Sequence, residues 1–339
     1  MQTDIVKDII EKIARTKSVD AIALAKKHAV TRQTVYRYIA QLKAEKKIES
    51  CGKNVYELVA VSYPFLYENK DLKEDVIWSR DIQPCLPPMD KSAVRAMAYC
   101  FTEMMNNAIE HSQSKSIDVC VRSTAFSTSV LIGDDGVGIF EKISKAMGLD
   151  DKKHAVLELA KGKFTTEPQS HTGEGIFFSS KIADVFYILS DGIEFIGNLK
   201  RKLDHPFVLE NEAPFDAIYS TMVCFEIIND AKKDMNAVFE KYTQQPEDFG
   251  FSKTQIPVKL LEYGEQDAIF LSRSQARRLL ARLENFENIV MDFEGIEEIG
   301  QGFADEIFRV FLSEHPAVRI TPVNCSAAVQ KMIRRVQAQ

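Results

Sequence analysis

The chain has 339 residues and a mass of 38.4 kDa, with 45% hydrophobic and 27% charged residues and a formal charge of −6 from 43 Lys/Arg and 49 Asp/Glu. That composition excludes a disordered, collagenous or fibrous chain and fits about two or three globular domains. The net charge conceals an asymmetry, because residues 1–60 hold 12 Lys/Arg against 7 Asp/Glu, a surplus of +5, and the remainder carries −11. A basic head on an acidic body is the footprint of a small nucleic-acid-binding unit joined to a regulatory body. Six cysteines (Cys51, Cys85, Cys100, Cys120, Cys224, Cys325) form no C-x-x-C pair and read as free thiols in a reducing compartment. No apolar run approaches the roughly 18 residues of a membrane span, and MQTDIVKDII lacks the order of a signal peptide. The expected location is cytoplasmic, with no membrane contact.

In residues 3–15 the spacing puts Ile5, Ile9, Ile10 and Ile13 on one helix face. A second helix is expected after Ser18 as N-cap, with Ile22, Leu24 and Ala25 apolar. Thr31 is placed to cap a third, TRQTVYRYIAQLKAEK, whose Val35, Tyr38, Ile39 and Leu42 recur at helical spacing. Arg32, Gln33, Thr34, Arg37 and Lys43 lie largely off that stripe, the first three in the first turn. An apolar seat with a first turn of donors is what a major-groove reader requires. KKIESCGKNVYELV then reads as two extended runs about a Gly-Lys-Asn turn that carries Lys53. The stretch resembles a winged helix-turn-helix, with 1–60 as the domain. The resemblance implies double-stranded DNA as partner and Arg32, Gln33, Thr34, Arg37, Lys43 and Lys53 as contacts. A helical dimerisation or docking module with merely solvated charges is the competing reading.

Residues 61–89, from YPFLYENK to QPCLPPMD, are expected to be a linker before a long helix starting near Asp90. In that helix Glu103, Asn107 and His111 fall at successive i+4 steps on one stripe among apolar neighbours. A Glu can polarise an attacking water and an Asn can give a neutral oxygen to magnesium, although a solvated helix face would also place polar residues there. Two strand-like runs follow, the second ending in DDGVGIF. There Asp134 can accept from an exocyclic amine, while Gly136 and Gly138 let the backbone pass close to a flat ring. After a helix around HAVLELA, KGKFTTEPQSHTGEGIFFSSKIAD turns from Gly-, Thr- and Lys-rich to apolar and helical. Free amides and the glycines Gly173 and Gly175 suit phosphate there, and Lys161 and Lys163 are placed to add charge. DAIYSTMVCFEIIN is a strand with Ser220 and Thr221 polar among apolar neighbours.

In this order, E-x-x-x-N-A, D-x-G-x-G, G-x-G and a strand Thr resemble the nucleotide-binding boxes of the gyrase, Hsp90, histidine kinase and MutL (GHKL) ATPases over about residues 75–230. The resemblance implies an α/β sandwich of the Bergerat type at 90–230 that holds ATP and Mg2+ beneath a mobile lid. Carried over by match, Glu103 polarises water and Asn107 ligates magnesium. Asp134 reads adenine beside Gly136, Gly138 and Thr221, Gly173 and Gly175 contact phosphates, and Thr165 and Thr166 belong to the lid. None of the six histidines (His28, His111, His154, His171, His205, His315) lies where an upstream phosphoacceptor hairpin would carry one. NAIEH is nearer the anti-sigma serine kinase branch, with His111 read as packing or capping.

A connecting stretch is expected at 231–250. At 251–339 the pattern alternates: extended TQIPVKLLEY, helical SRSQARRLLARLENF, extended NIVMDFEGIEEIG, helical FADEIFRVFLSEH, extended VRITPVN and helical SAAVQKMIRRV. It resembles the STAS-like relatives of the anti-sigma antagonists, carried by VMDFEGIEEIGQGFADEIF. The antagonists place a phosphorylatable Ser in the loop before that helix, and here it reads Ile299, Gly300, Gln301, Gly302. The domain is therefore expected to be a docking surface for the ATPase domain or a structural dimerisation domain, and a protein partner is expected to act through it. The whole is a multidomain α+β chain, expected to be an ATP-responsive DNA-binding transcription regulator acting as a homodimer. A serine/threonine kinase acting on a separate partner and a slow ATPase switch are the alternatives.

Overall fold

A computed structural model describes residues 2–162, 173–199, 219–243, 252–262 and 270–338. The fold is mixed α/β with several sheets, and the chain divides into two compact units. The first comprises residues 1–136, 182–188 and 198–233; the second comprises 137–181, 189–197 and 234–339.

The first unit opens with α1 (Gln2–Thr16), α2 (Ala21–Lys27) and α3 (Arg32–Ala44), followed by an antiparallel hairpin of β1 (Ile48–Gly52) and β2 (Val55–Leu58). The hairpin turns on Lys53 and Asn54, and Asn54 takes φ 59°. The isoleucine stripe of α1 packs with Leu24, Val35, Tyr38, Ile39, Leu42, Ile48 and Tyr56, as the spacing of those residues requires. Thr31 caps α3 by accepting from Thr34 N at 3.2 Å. The cap of α2 is Asp20 and not Ser18: its carboxylate accepts from Ile22 N and Ala23 N, at 2.9 and 3.0 Å. A carboxylate at the N-cap answers two orphan amides, whereas Ser18 bridges to Val55 of the hairpin.

The core of this head continues into the next sheet. Phe126 is buried in the same cluster, and Ala125 and Ile228 pack against it. Residues 61–89 are structured, in contrast to the linker expected there. They carry β3 (Val61–Glu68), α4 (Glu74–Ile77), a wide helical turn over Trp78–Ile82 and a tight one over Gln83–Cys85. Then come α5 (Lys91–His111), β4 (Ser116–Ser123), β5 (Ser127–Asp134), β6 (Val185–Ser190, of which 185–188 fall in this unit), β7 (Ile193–Leu199, of which 198–199 do) and β8 (Thr221–Ile228). The sheet order is β3-β4-β5-β8-β6-β7. The β3 signal was masked in sequence by Pro64, which an edge strand tolerates because one side of it has no ladder partner. Strand β4 alternates buried and half-buried residues, and β5 is buried throughout, as its inner position between β4 and β8 demands.

In the second unit α6 (Ile139–Met147), α7 (His154–Lys161), α8 (Gly175–Ile182, of which 175–181 fall here) and α9 (Met235–Tyr242) precede a parallel three-stranded sheet. Its strands β9 (Lys253–Pro257), β10 (Asn288–Asp292) and β11 (Arg319–Val323) lie in the order β11-β10-β9. α10 (Arg273–Leu280) starts at a capping box of Ser272 and Gln275. α11 (Gln301–Asp305) runs through a wide helical turn at Glu306–Phe311 into α12 (Leu312–Glu314), and α13 (Ala327–Gln337) follows β11. The expected strand at TQIPVKLLEY stops at Pro257 and turns into a 3-10 helix, Val258–Glu262. The connecting stretch expected at 231–250 carries α9.

Candidate functional site

Helix α5 is capped by Asp90, which accepts from Ser92 N at 2.8 Å, and it buries Ala93, Ala96, Met97, Cys100, Phe101, Met104, Met105 and Ala108. Glu103, Asn107 and His111 are half-buried along one stripe, the position at which the 3.6-residue period puts them. The Asn107 side chain makes no hydrogen bond to another described residue. The far end of α5 is fixed by Asn69, whose amide donates to the carbonyls of Ile109 and Ser114 at 3.2 and 3.1 Å.

Asp134 is the last residue of β5, only 6% exposed, and sits directly across the ladder from Thr221, the first residue of β8. Burial pushes its carboxyl up to about 6, against a partial lowering by the Gly136 amide and a further push from Asp135. The Gly136 N–H donates to Oδ1 at 3.0 Å, and no cation among the described residues pairs with the group. Ser220 N donates to the Asp134 carbonyl at 2.8 Å, which ties the start of β8 to the same strand end. The ring of Tyr219 lies against Gly133: a Cβ there would meet it at 2.7 Å.

Gly136 is required by packing. A Cβ on it would fall 1.9 Å from the Ser112 carbonyl oxygen, so the loop after β5 can pass the end of α5 only without a side chain. Ser112 and Ser114 complete that corner, Ser112 Oγ accepting from Ser114 N at 3.0 Å and Ser114 Oγ donating to Asp135. In the structure the missing side chain clears a carbonyl of its own chain.

Gly138, Gly173 and Gly175 belong to the second unit. Gly138 is the N-cap of α6 at φ 74°, Gly173 has φ 69°, and Gly175 is the first residue of α8. Thr165, Thr166 and Lys163 lie outside the described residues. Lys161 is not placed to meet a phosphate. It is fully buried, and its ammonium donates to Glu158 Oε1 at 2.6 Å, to the Ala281 carbonyl at 2.8 Å and to the Arg278 carbonyl at 3.2 Å. Burial lowers its pKa. A sequence signal for this did exist: HAVLELAK is apolar nearly all round, and a helix apolar all round is buried, so its charges must be paired.

In the head, Arg32, Gln33, Arg37, Lys43 and Lys53 are exposed and Thr34 is half-buried against Thr31. Val35, Tyr38, Ile39 and Leu42 face inward. The polar and apolar faces of α3 are thus divided as the periodicity predicts.

A cluster that sequence reasoning missed joins α10 to the helix from Gln301 to Glu314. Arg273 reaches Asp305 Oδ2 at 2.7 Å and Glu306 Oε2 at 3.1 Å, Arg277 reaches Glu306 Oε1 at 2.7 Å, and Arg309 also binds Asp305. Arg309 holds Asp305 below its ordinary range. Burial pushes Glu306 upward, but Arg277 and Arg273 outweigh it and bring it below its range too. The adjacent acids in FADEIF were the available signal. Gly300 passes close to α10's leader, where a Cβ would meet the Leu271 backbone at 2.7 Å.

Residues 275–330 match the family described as a STAS-like domain of unknown function (DUF4325), so the C-terminal region is STAS-like over that span. No curated protein matches the chain. No helix among the described residues is long and apolar enough to cross a membrane.

Proposed function

We propose that the chain is a Mg-ATP-responsive, DNA-binding transcription regulator of the cytoplasm that acts as a homodimer. The observation that carries this reading is Asp134, a buried strand-end carboxylate raised to about 6, opposite Thr221, with one backbone amide as its donor among the described residues. A buried acceptor with capacity left favours a donor ligand, and the exocyclic amine of adenine is one. In this reading Asp134 and Thr221 take the base, with Gly136 and Gly138 beside them. Asn107 is the magnesium ligand on α5, Glu103 polarises water one turn earlier, and Gly173 and Gly175 meet the phosphates. Thr165 and Thr166 are assigned to the lid by the motif resemblance alone. Bound magnesium would supply charge neutralisation of the phosphates.

The head is the DNA reader, with Arg32, Gln33, Thr34, Arg37, Lys43 and Lys53 as its contacts. Support comes from the exposed basic face of α3 above an apolar seat and from the +5 charge of residues 1–60. ATP can change DNA affinity only by binding two conformations differently. The STAS-like region is assigned to a protein partner. The test is DNA affinity by fluorescence anisotropy with and without Mg-ATP at one salt concentration, on wild type and Asp134→Asn. A nucleotide effect of at least fivefold in wild type and none in the variant is expected; equal affinities in wild type with and without nucleotide sink the proposal. Arg37→Ala should reduce the salt slope of DNA binding by about 1.

A further inference from the structure

Resting on the DNA reading of the head, we propose that Tyr36 is a specificity-determining residue that packs its ring against the C5-methyl group of a thymine in the major groove. Tyr36 lies on α3 but outside the apolar stripe that seats the helix. Val35, Tyr38, Ile39 and Leu42 are buried, while Tyr36 is 44% exposed. Of the two tyrosines of α3 it is the outward one, sharing its face with the exposed Arg32, Gln33, Arg37, Ala40 and Lys43.

The helical period puts Tyr36 one turn beyond Arg32 and Gln33, and Ala40 one turn beyond Tyr36. Long side chains on a helix lean toward its N-terminus, so the ring covers the turn that Arg32 and Gln33 open, the end that a reading helix puts into the groove. Ala40 offers only a methyl group, and nothing long competes for the groove one turn further on. Two polar neighbours are committed elsewhere. Thr34 Oγ1 lies 3.0 Å from Thr31 Oγ1 at the helix cap. The Arg37 guanidinium lies over the Tyr38 ring, 5.4 Å from its centroid. A cation drawn back onto the head in this way suits a phosphate better than a base edge.

An aromatic residue with that exposure does not serve the helix itself, since straight-chain polar residues are better helix formers on a solvated face. What the ring supplies is an apolar surface, which the donors around it lack. In the major groove the distinctive apolar group on a base edge is the thymine C5-methyl. A ring beside Gln33, whose amide suits an adenine edge, therefore selects for A·T pairs. Taking one methyl group out of water is worth about fourfold in affinity.

The test is selection of duplexes from a random library by the full chain at one salt concentration, with and without Mg-ATP. The selected duplex is then titrated by anisotropy beside copies in which deoxyuridine replaces each thymine in turn. Wild type is expected to enrich thymine at one position and to lose about fourfold in affinity when that thymine becomes deoxyuridine, a change that removes only the methyl group. Tyr36→Ala should bind the two duplexes alike while keeping the wild-type salt slope and thermal midpoint. Tyr36→Phe should discriminate as wild type does. A Tyr36→Ala that still discriminates, or a wild type that binds duplexes with no loss on deoxyuridine, overturns the role of Tyr36 and leaves the DNA reading standing. So does a Tyr36→Phe that has lost the discrimination, since the hydroxyl and not the ring would then be the reader. A wild type that takes up no duplex in either condition overturns the DNA reading and this inference with it.

Discussion

Two regions of the molecule bury carboxylates equally well and treat them in opposite ways. Asp134, at the end of β5, is 6% exposed; Asp305 and Glu306, on the helix after β10, are each 5% exposed. The pair is answered by Arg273, Arg277 and Arg309, and both acids are held below their ordinary ranges. Asp134 has a backbone amide and an acidic neighbour, and its carboxyl rises. Depth alone thus says little about function. A buried acid whose charge is fully answered by arginines is part of the scaffold, while one left with a single amide favours either a proton or a donor ligand.

The comparison breaks most easily at Gly136, the donor that fixes Asp134. Because a Cβ at Gly136 meets the Ser112 carbonyl at 1.9 Å, Gly136→Ala should cost about 3 kcal/mol or more in urea unfolding. A loss below about 1 kcal/mol would mean that the loop moves freely and that the Asp134 environment is not held.

The next largest effect is on pH. The folded-state pKa of Asp134, about 6, lies above its ordinary 3.8, so the folded chain binds the extra proton. Its contribution to stability is greatest below pH 3.8, declines as pH rises from there to about 6, and is level above. The decline is on the order of 3 kcal/mol. Asp305 and Glu306 run the other way: their contribution is present above the ordinary carboxylate range and is lost as pH falls through their lowered pKa values. Subtracting the Asp134→Asn stability profile from that of wild type isolates the first trend. A flat difference between pH 4 and 6 would remove the claim that Asp134 is strained as an anion. In the nucleotide reading, ATP affinity should also fall as pH drops through 6, because the protonated carboxyl loses acceptor capacity.

Single substitutions at neutral pH should then differ in sign. Asp134→Asn removes a buried charge that no described cation answers and should raise stability by about 1 kcal/mol. Glu306→Gln weakens contacts to Arg273 and Arg277, and should lower it by about 1 kcal/mol, a modest value because both arginines are more than half exposed. Equal signs, measured by chemical denaturation, would show that the arginine cluster and the β5 terminus are electrostatically alike after all.

Local patterns made much of this visible in the sequence. The isoleucine stripe of α1, the Thr31 cap, the apolar seat of α3, the limits of β4 and the presence of β5 and β8 follow from periodicities and caps within a dozen residues. Strand β3 was hidden because Pro64 reads as a breaker, and only the sheet edge excuses it. The pairing of Asp134 with Thr221 is a register across 87 residues of chain, and no local pattern fixes such a distance. Lys161 was misread for the same reason, its partners Arg278 and Ala281 lying 117 and 120 residues away.

The smallest predicted effect bears on why the arginine cluster is complete without any ligand. Gly302 opens the helix that carries Asp305 and Glu306, and a Cβ there would sit 3.5 Å from Arg273 Cγ, ordinary contact at an ordinary φ. Gly300, two residues earlier, has no such room. Gly302→Ser should therefore leave Arg273 on its two carboxylates and change stability by no more than about 0.5 kcal/mol, since helix propensity favours Ser slightly over Gly. A larger loss would mean that Arg273 is displaced and that its pairing is what seats the helix. The same variant puts a hydroxyl in the first turn of that helix, beside the loop compared above with the phosphorylatable loop of the antagonists. With labelled Mg-ATP, no phosphate is expected to appear on it, because a scaffold whose acids already hold the neighbouring arginines has no cation to spare for a new phosphate. Incorporation that disappears in Gly302→Ala would instead revive transfer to serine as the activity of the chain.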